Sequence, residues 1–360
     1  MQLNRIENQK ERVLTALWMG GEVNVNDLYM CVNEKYLPNL LYRLEKSGLI
    51  KRRKAKGLDI KTACLTEDGI DYVYLNYGLH PQDSPSGDLN VKTTGADSIN
   101  RKQRRARSFM AFSNAGYEIT NEVPNITHEV NEPIYIDSYN LKKELKAEVQ
   151  GARASGVFMT PNELFLVYPE NEHFQIQNKY ELSFLDRLQR KMELNDARMN
   201  TGEIVLSSSN EMLEKLILTT RRREIGGGSY IVKSSDRNKF FVSANHETAT
   251  QLMLLSHMAE RNEVINEKLS DLLGTPVSNL EFKNFKDGYI INLLDLNLGL
   301  IKATHELIFK KKKVYVLCML EQEEMFKELF TKTINREAYI ELITIPKEDI
   351  LSILENGGDE

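Results

Sequence analysis

The chain has 360 residues, with 47 Lys and Arg against 52 Asp and Glu, for a formal net charge of −5. Hydrophobic residues make up 41% and charged residues 28%, which supplies enough apolar side chains for buried cores and excludes wholesale disorder. The mild acidity also excludes a uniformly basic nucleic-acid coat, but it leaves room for one local basic face, because affinity for phosphate depends on where charges sit.

At roughly 150 residues per domain, this length predicts two to three domains. Cys31, Cys64 and Cys318 lie far apart and form no CxxC or Cys/His cluster. A disulfide scaffold and a structural zinc site are therefore not expected, and the three read as small buried hydrophobes in a reducing compartment. The segment from Met1 to Lys10 is too polar for a signal peptide. The longest apolar run, Val314 to Leu320, falls well short of the ~20 residues that span a bilayer. The expectation is a cytoplasmic protein with no membrane partner, no metal and no cofactor.

In chain order, Val13, Leu14 and Leu17 give a first helical stripe that ends at Gly20-Gly21. Asn24 or Asn26 can cap a second helix carrying Leu28 and Val32. A third helix is predicted from about Lys35 to Ser47, with Pro38 in its first turn and Gly48 as its left-handed stop. Leu37, Leu40, Leu41 and Leu44 follow a 0, 3, 4, 7 spacing and share one buried face. Lys35, Asn39, Tyr42 and Lys46 point the other way, with Tyr36 and Arg43 on the flanks. These side chains can reach base edges and phosphates in a major groove. Two strands around Gly57 follow as a hairpin. From 51 to 61 it carries six cations (Lys51, Arg52, Arg53, Lys54, Lys56, Lys61) against one acid, Asp59. Thr66-Glu-Asp-Gly69 opens a last helix.

Residues 79–98 are rich in Pro, Gly and Ser and read as a linker. A helix is predicted over residues 100–112, and a strand over 117–123. Asp137 or Ser138 is placed to cap a short helix through Leu145. Strands at 156–160 and 164–168 are joined by a tight turn. A helix covers 182–196, and a strand at 203–206 precedes a helix capped by Ser209 or Asn210. Residues 230–233 and 239–242 read as a hairpin, followed by a helix over 247–258. Strands at 289–294, 313–319 and 340–345 alternate with helices. The domains expected are 1–78, a linker over 79–98, a mixed α/β domain over 99–265 and a C-terminal α/β subdomain over 266–354.

Residues 5–75 resemble a winged helix-turn-helix. The resemblance is carried by Leu40-Leu-Tyr-Arg-Leu-Glu-Lys-Ser-Gly-Leu-Ile50, the basic strands, and Leu65-Thr-Glu-Asp-Gly69. A winged helix that binds protein instead of DNA is the bland alternative; the cation excess of the hairpin favours DNA, since each Lys or Arg beside a phosphate releases a counterion. The whole layout, a winged helix, a polar linker and a larger α/β domain, is similar to the replication-relaxation family of plasmids and conjugative elements. That resemblance implies a bacterial protein at the nucleoid or a plasmid, accessory to replication or transfer initiation in a relaxosome. A relaxase or replication initiator is the protein partner expected, and the large α/β domain is expected to form a homodimer or to recruit partners.

Asn100-Arg-Lys-Gln-Arg-Arg-Ala-Arg107 offers a second phosphate patch through Arg101, Arg104 and Arg105; a solvated helix start explains it equally well. Arg221-Arg-Arg223 before Gly226-Gly-Gly228 lacks the phosphate-loop pattern and reads as a helix stop. Lys310 to Lys313 reads as a solvated turn.

An enzyme is not expected. The six histidines form no HxH or HxxxH pair. The pattern over residues 137–206 can host a degenerate restriction-endonuclease-like core with Asp137 as first acid, but its paired strands carry no acid-x-Lys for Mg²⁺ and water activation. The fold class is thus α+β or α/β, and the leading function is sequence-specific binding of double-stranded DNA. Two alternatives stay open: a transcriptional regulator whose second domain senses a ligand or partner, and a metal-dependent nuclease.

Overall fold

The computed structural model describes residues 2–33, 35–54, 61–87, 89, 96–120, 132–138, 141, 152–161, 163–170, 178–191, 200–219, 232–244, 248–256, 258–331 and 337–356. These residues form a mixed α+β structure with three sheets. Among them, no helix is long and apolar enough to cross a membrane. The chain divides into two compact units. Unit 1 comprises Met1–Glu170, Gln177–Asn200 and Ala244–Ala249; unit 2 comprises Asn171–Ile176, Thr201–Ser243 and Thr250–Glu360.

Unit 1 begins with α1 (Gln9–Gly20), whose first turn is closed by Asn8 Oδ1 accepting from the Lys10 and Glu11 amides at 2.9 and 3.4 Å. A short strand β1 (Glu22–Asn24) follows, then a 3-10 turn over Val25–Met30. The second α-helix expected there does not form. Glu22 and Val23 are drawn into a sheet with Cys64 and Ala63, and Asp27 is drawn inward by Arg107. α2 (Leu37–Lys46) has Pro38 in its first turn and stops at Gly48, with φ +76°. β2 (Ile50–Lys54) and β3 (Lys61–Leu65) pair antiparallel, giving the sheet order β1-β3-β2. α3 (Glu67–Tyr77) opens with Thr66 Oγ1 accepting from the Gly69 amide at 3.0 Å. A Cβ at Gly69 would stand 1.9 Å from the Leu49 carbonyl oxygen, so only glycine lets this helix start so close to the strand entry.

α4 (Ala96–Asn114) is longer than expected and has two working faces. One meets the N-terminal block. A Cβ at Gly20 would lie 2.6 Å from Ala106 Cβ, so α1 and α4 touch backbone to backbone there. Arg107 donates to both oxygens of Asp27 at 3.1 Å and to the Pro169 carbonyl at 3.2 Å. Burial raises the Asp27 carboxyl above its usual range, and Arg107 opposes that shift. Ser113 Oγ accepts from the Leu3 amide, and Asn114 donates to the Met30 carbonyl. The other face carries Phe109 and Phe112 onto a sheet, with Phe112 stacked on Tyr135 at 4.4 Å. That sheet runs β4 (Glu118–Thr120), β5 (Ile134–Asp137), β6 (Gly156–Met159), β7 (Glu163–Pro169), with β4 parallel to β5 and the β5-β6-β7 steps antiparallel. α5 (Asn178–Lys191) also belongs to this unit.

The segment expected as a linker does not divide compact units. The Trp18 indole donates to the His80 carbonyl at 3.1 Å, and Ser84 Oγ donates to the Trp18 carbonyl at 2.6 Å. Residues 99–170 consequently sit in one unit with residues 1–78.

In unit 2, β8 (Asn200–Ser207), α6 (Asn210–Leu218) and β9 (Lys239–Ser243) form a parallel crossover. Lys239–Ser243 is thus a strand, as expected, and its partner among the described residues is β8; Val232 and Lys233 are not in a strand, and 230 and 231 of the expected hairpin lie outside the described residues. α7 (Thr248–Ser256) and α8 (Met258–Leu273) follow, the latter running straight through the boundary expected at 265/266. β10 (Lys283–Phe285) pairs antiparallel with β11 (Gly288–Asn292). β12 (Val314–Met319) and β13 (Ile340–Ile345) then add in parallel, through α9 (Leu298–Phe309) and α10 (Glu323–Thr331). α11 (Lys347–Asn356) closes the described chain, and its Ile350 packs with Leu254, Ile265, Leu269, Leu317 and Ile345.

Arg107→Ala would leave a buried Asp27 carboxylate with no cation, a change that costs about 3–5 kcal/mol. Urea unfolding is expected to show that loss, and the double variant Asp27→Asn, Arg107→Met is expected to recover much of it.

Candidate nucleic-acid interface

The surface of interest follows from the amphipathic pattern of α2. Leu37, Leu41 and Leu44 are buried, and Leu40 is half-buried at the margin of the stripe. Turning those leucines inward turns Asn39, Tyr42, Arg43 and Lys46 outward. All four are exposed, as are Lys35 and Tyr36 in the preceding turn. The two tyrosines are conspicuous: Tyr36 is 66% exposed and Tyr42 59%. Asn39, Arg43 and Lys46 succeed one another at spacings of four and three, so they share one stripe with Tyr42 beside them. The surface therefore offers an amide, a guanidinium, a phenol and ammonium groups without an intervening apolar patch.

The sheet beside α2 sorts its cations by face. Lys51 and Arg53 stand with Cys64, Thr62 and Glu22 on one side; Arg52, Lys54 and Lys61 stand on the other, which begins with the buried Ile50 and Leu65. Arg53 is a structural cation. Its guanidinium donates to Glu22 at 2.9 and 2.5 Å, and Thr62 Oγ1 donates to the same carboxylate at 2.8 Å. Glu22 is buried, so Arg53 and Thr62 complete a cross-strand network over β1, β3 and β2. Arg52 is engaged differently. Its guanidinium grips Glu45 of α2 at 2.9 and 2.5 Å, and its amide donates to the same carboxylate at 3.2 Å. These bonds from Arg52 hold the Glu45 carboxyl below its usual range. Both groups of this pair remain partly exposed.

Lys54 and Lys61 are direct cross-strand partners, and both are exposed. Like charges placed opposite each other destabilise a strand pair. Lys51 is exposed on the adjoining strand position. Lys56, along with Gly57 and Asp59 of the hairpin turn, lies outside the described residues.

Of the three arginines expected to form a second patch on α4, two are engaged by carboxylates of unit 1. Arg104 pairs with Glu170 at 2.8 Å. Arg105 donates to both oxygens of Asp137, at 3.0 and 2.8 Å, and to the Pro85 carbonyl at 2.9 Å. Each arginine is thus turned toward the interior of unit 1 by a carboxylate distant in sequence. Burial pushes the Glu170 carboxyl up to about 7, against the pull of Arg104. Arg101 is exposed at the start of this run.

The same bonds bear on the nuclease alternative. Asp137 is fully buried with Arg105 on both oxygens, so it is not an open ligand for a metal. On β7, Glu163 is buried and accepts from Thr160 Oγ1 at 2.7 Å. Among the described residues, no three His, Cys, Asp or Glu side chains are grouped to hold a metal. The Arg221–Arg223 and Gly226–Gly228 runs lie outside the described residues.

Sequence spacing found the outward stripe of α2 but missed β1, and with it the carboxylate that claims Arg53. One signal was available. Glu22-Val23-Asn24-Val25 alternates polar and apolar side chains, as a half-buried strand does. Compared with models of known protein families, with curated proteins and with solved structures, the chain matches none.

The two arginines of β2 are expected to respond differently to truncation. Arg53→Ala uncovers a buried carboxylate and should lower stability by about 1–3 kcal/mol, whereas Arg52→Ala breaks an exposed pair worth about 0.2–1 kcal/mol. Chemical denaturation of the two variants side by side distinguishes them, and equal losses would contradict the assignment.

Proposed function

We propose that the chain is a sequence-specific double-stranded DNA-binding protein whose N-terminal block is a winged helix-turn-helix. α2 is the reading helix, and β2 and β3 are the arms of the wing. The observation that carries the reading is the unbroken exposed polar face Lys35, Tyr36, Asn39, Tyr42, Arg43, Lys46, set beside the cationic strands of a small sheet. The element order α1, β1, a 3-10 turn, α2, β2, β3 and the strand order β1-β3-β2 support it, since this arrangement stands one helix out from a three-stranded support.

The chemistry divides by reach. An α-helix fits the major groove, where Asn pairs with adenine and Arg with guanine through two hydrogen bonds each. Asn39 and Arg43, four residues apart, are the base readers in this scheme, with Tyr42 packing between them. Lys35 and Lys46 flank the readers and take phosphates, and Lys51, Lys54 and Lys61 take the backbone beside the groove. Arg53 is excluded from that set because it braces the sheet. Arg52 is shared: it is a phosphate donor only when Glu45 releases it. Together with the resemblance in Leu40–Ile50, this makes a role accessory to replication or transfer initiation on a plasmid or conjugative element the setting proposed, with a relaxase or initiator as protein partner and a homodimer as the bound form.

Footprinting and anisotropy on DNA flanking its own gene test the reading. Lys51→Ala with Lys61→Ala should weaken binding to every duplex and flatten the plot of log affinity against log salt by about 0.9 for each phosphate no longer neutralised. Asn39→Ala and Arg43→Ala should instead erase preference at separate base pairs, each costing about 1–3 kcal/mol on the preferred site. Glu45→Gln should steepen the salt plot by about 0.9, since it frees Arg52 for one more phosphate. Wild-type protein that binds no duplex at low salt would end the proposal.

A further inference from the structure

Unit 2 carries a cationic surface of its own, at the end of its sheet where the parallel strands β11, β12 and β13 begin. Two turns meet there, one between β10 and β11 (Lys286, Asp287) and one between α9 and β12 (Lys310 to Lys313). Side-chain bonds hold them together. Lys313 Nζ reaches Asp287 at 3.2 Å and Glu341 at 3.6 Å. The Tyr315 hydroxyl donates to Asp287 at 2.6 Å, which with Lys313 keeps that carboxyl below its usual range. The Lys286 ammonium lies 4.9 Å from the Phe285 ring centre and 5.1 Å from that of Tyr315, so an aromatic floor supports it.

Around this junction stand Lys283, Lys286, Lys310, Lys311, Lys312 and Lys313, with Glu281, Asp287 and Glu341 as the acids paired there among the described residues and Glu306 one turn before Lys310, in a chain that is acidic as a whole. Lys286, Lys310, Lys311 and Lys312 are exposed and have no ion pair among the described residues. The backbone adds an independent observation. Lys286 has φ +47° and Lys311 has φ +59°. A left-handed residue at a turn tip is cheapest as Gly or Asn, yet both turns carry lysine there. A cation near the C-terminal end of α9 is favoured by the partial negative charge of that helix end, which accounts for Lys310 and Lys311. It does not account for Lys286, which ends no helix.

We propose that this lysine junction of unit 2 is a second anchor on the DNA phosphate backbone, separate from the reading helix. Lysine ammonium groups on flexible stems are point charges suited to phosphate and poorly suited to reading bases, so the anchor is independent of sequence. The proposal rests on the DNA-binding reading of unit 1 and extends it to a second surface.

The test uses the full chain with four changes, Lys286→Asn, Lys311→Asn, Lys310→Gln and Lys312→Gln. Asparagine is at ease in left-handed backbone, which offsets the loss of the helix-end cations and of the Lys286 ring contacts, so the variant should stay folded, and a melting curve checks this. Affinity for a long duplex is then measured from about 50 to 200 mM salt. The expected result is a plot of log affinity against log salt flattened by about 2–4, with base preference unchanged. An unchanged slope in this variant, while Lys51→Ala with Lys61→Ala lowers it, overturns the second anchor and leaves the reading helix standing. No duplex binding by wild type overturns both. Binding to vesicles containing phosphatidylserine that the four changes abolish, with duplex affinity unaltered, reassigns the surface to lipid and also overturns the proposal.

Discussion

Asp27 and Arg107 lie eighty residues apart in sequence and meet with almost no access to solvent. Neither tolerates that burial alone, so the 3-10 turn that carries Asp27 and the helix that carries Arg107 are obliged to stay together. The close approach of Gly20 and Ala106 brings the two helix backbones into the register that this pair requires. Arg107 also reaches the Pro169 carbonyl at the end of β7. One guanidinium thereby links the N-terminal block, α4 and the neighbouring sheet.

That constraint changes how the charges of unit 1 should be understood. Arginine and lysine counts along the chain suggest two basic patches, yet the arginines and the lysines behave differently. Arg53, Arg104, Arg105 and Arg107 each have a carboxylate within hydrogen-bonding reach: Glu22, Glu170, Asp137 and Asp27 respectively. A planar guanidinium suits such fixed two-pronged pairing, whereas an ammonium on a flexible stem does not. The lysines of α2 and of the sheet beside it stay at the surface. The division by residue type explains why a mildly acidic protein can keep a basic face while using most of its nearby arginines as internal fasteners.

Local features were legible in the sequence to the extent that their causes are local. The leucine spacing of α2, the stop at Gly48 and the Thr66–Gly69 start of α3 each depend on residues within a few positions, and each is present. The tight turn between 156–160 and 164–168 was readable for the same reason, with Thr160 closing it onto Glu163. What escaped depends on distant partners. β1 exists because β3 is there to pair with it, and the helix expected over Leu28 and Val32 gives way to a 3-10 turn because Asp27 must face Arg107. The polar composition of 79–98 carries no record that Ser84 and His80 fasten to Trp18, or that the helix of Arg107 already starts at Ala96. Lys239–Ser243 pairs in parallel with β8, a partner that neighbouring residues do not announce. For the candidate interface, spacing predicted which side chains of α2 face outward; it could not separate Arg53 from Lys51, because the difference lies in a carboxylate on another strand.

The α1–α4 seam also governs how the molecule can be cut. A peptide excised at Gly78 would lose the whole of α4. The close-fitting stretch of α1 around Gly20 would be bared to water, Asp27 would be left without its cation, and Leu3 and Met30 would lose their side-chain partners on that helix. α2 is therefore not a portable cassette. Any chimera that borrows it has to import α4 as part of the graft.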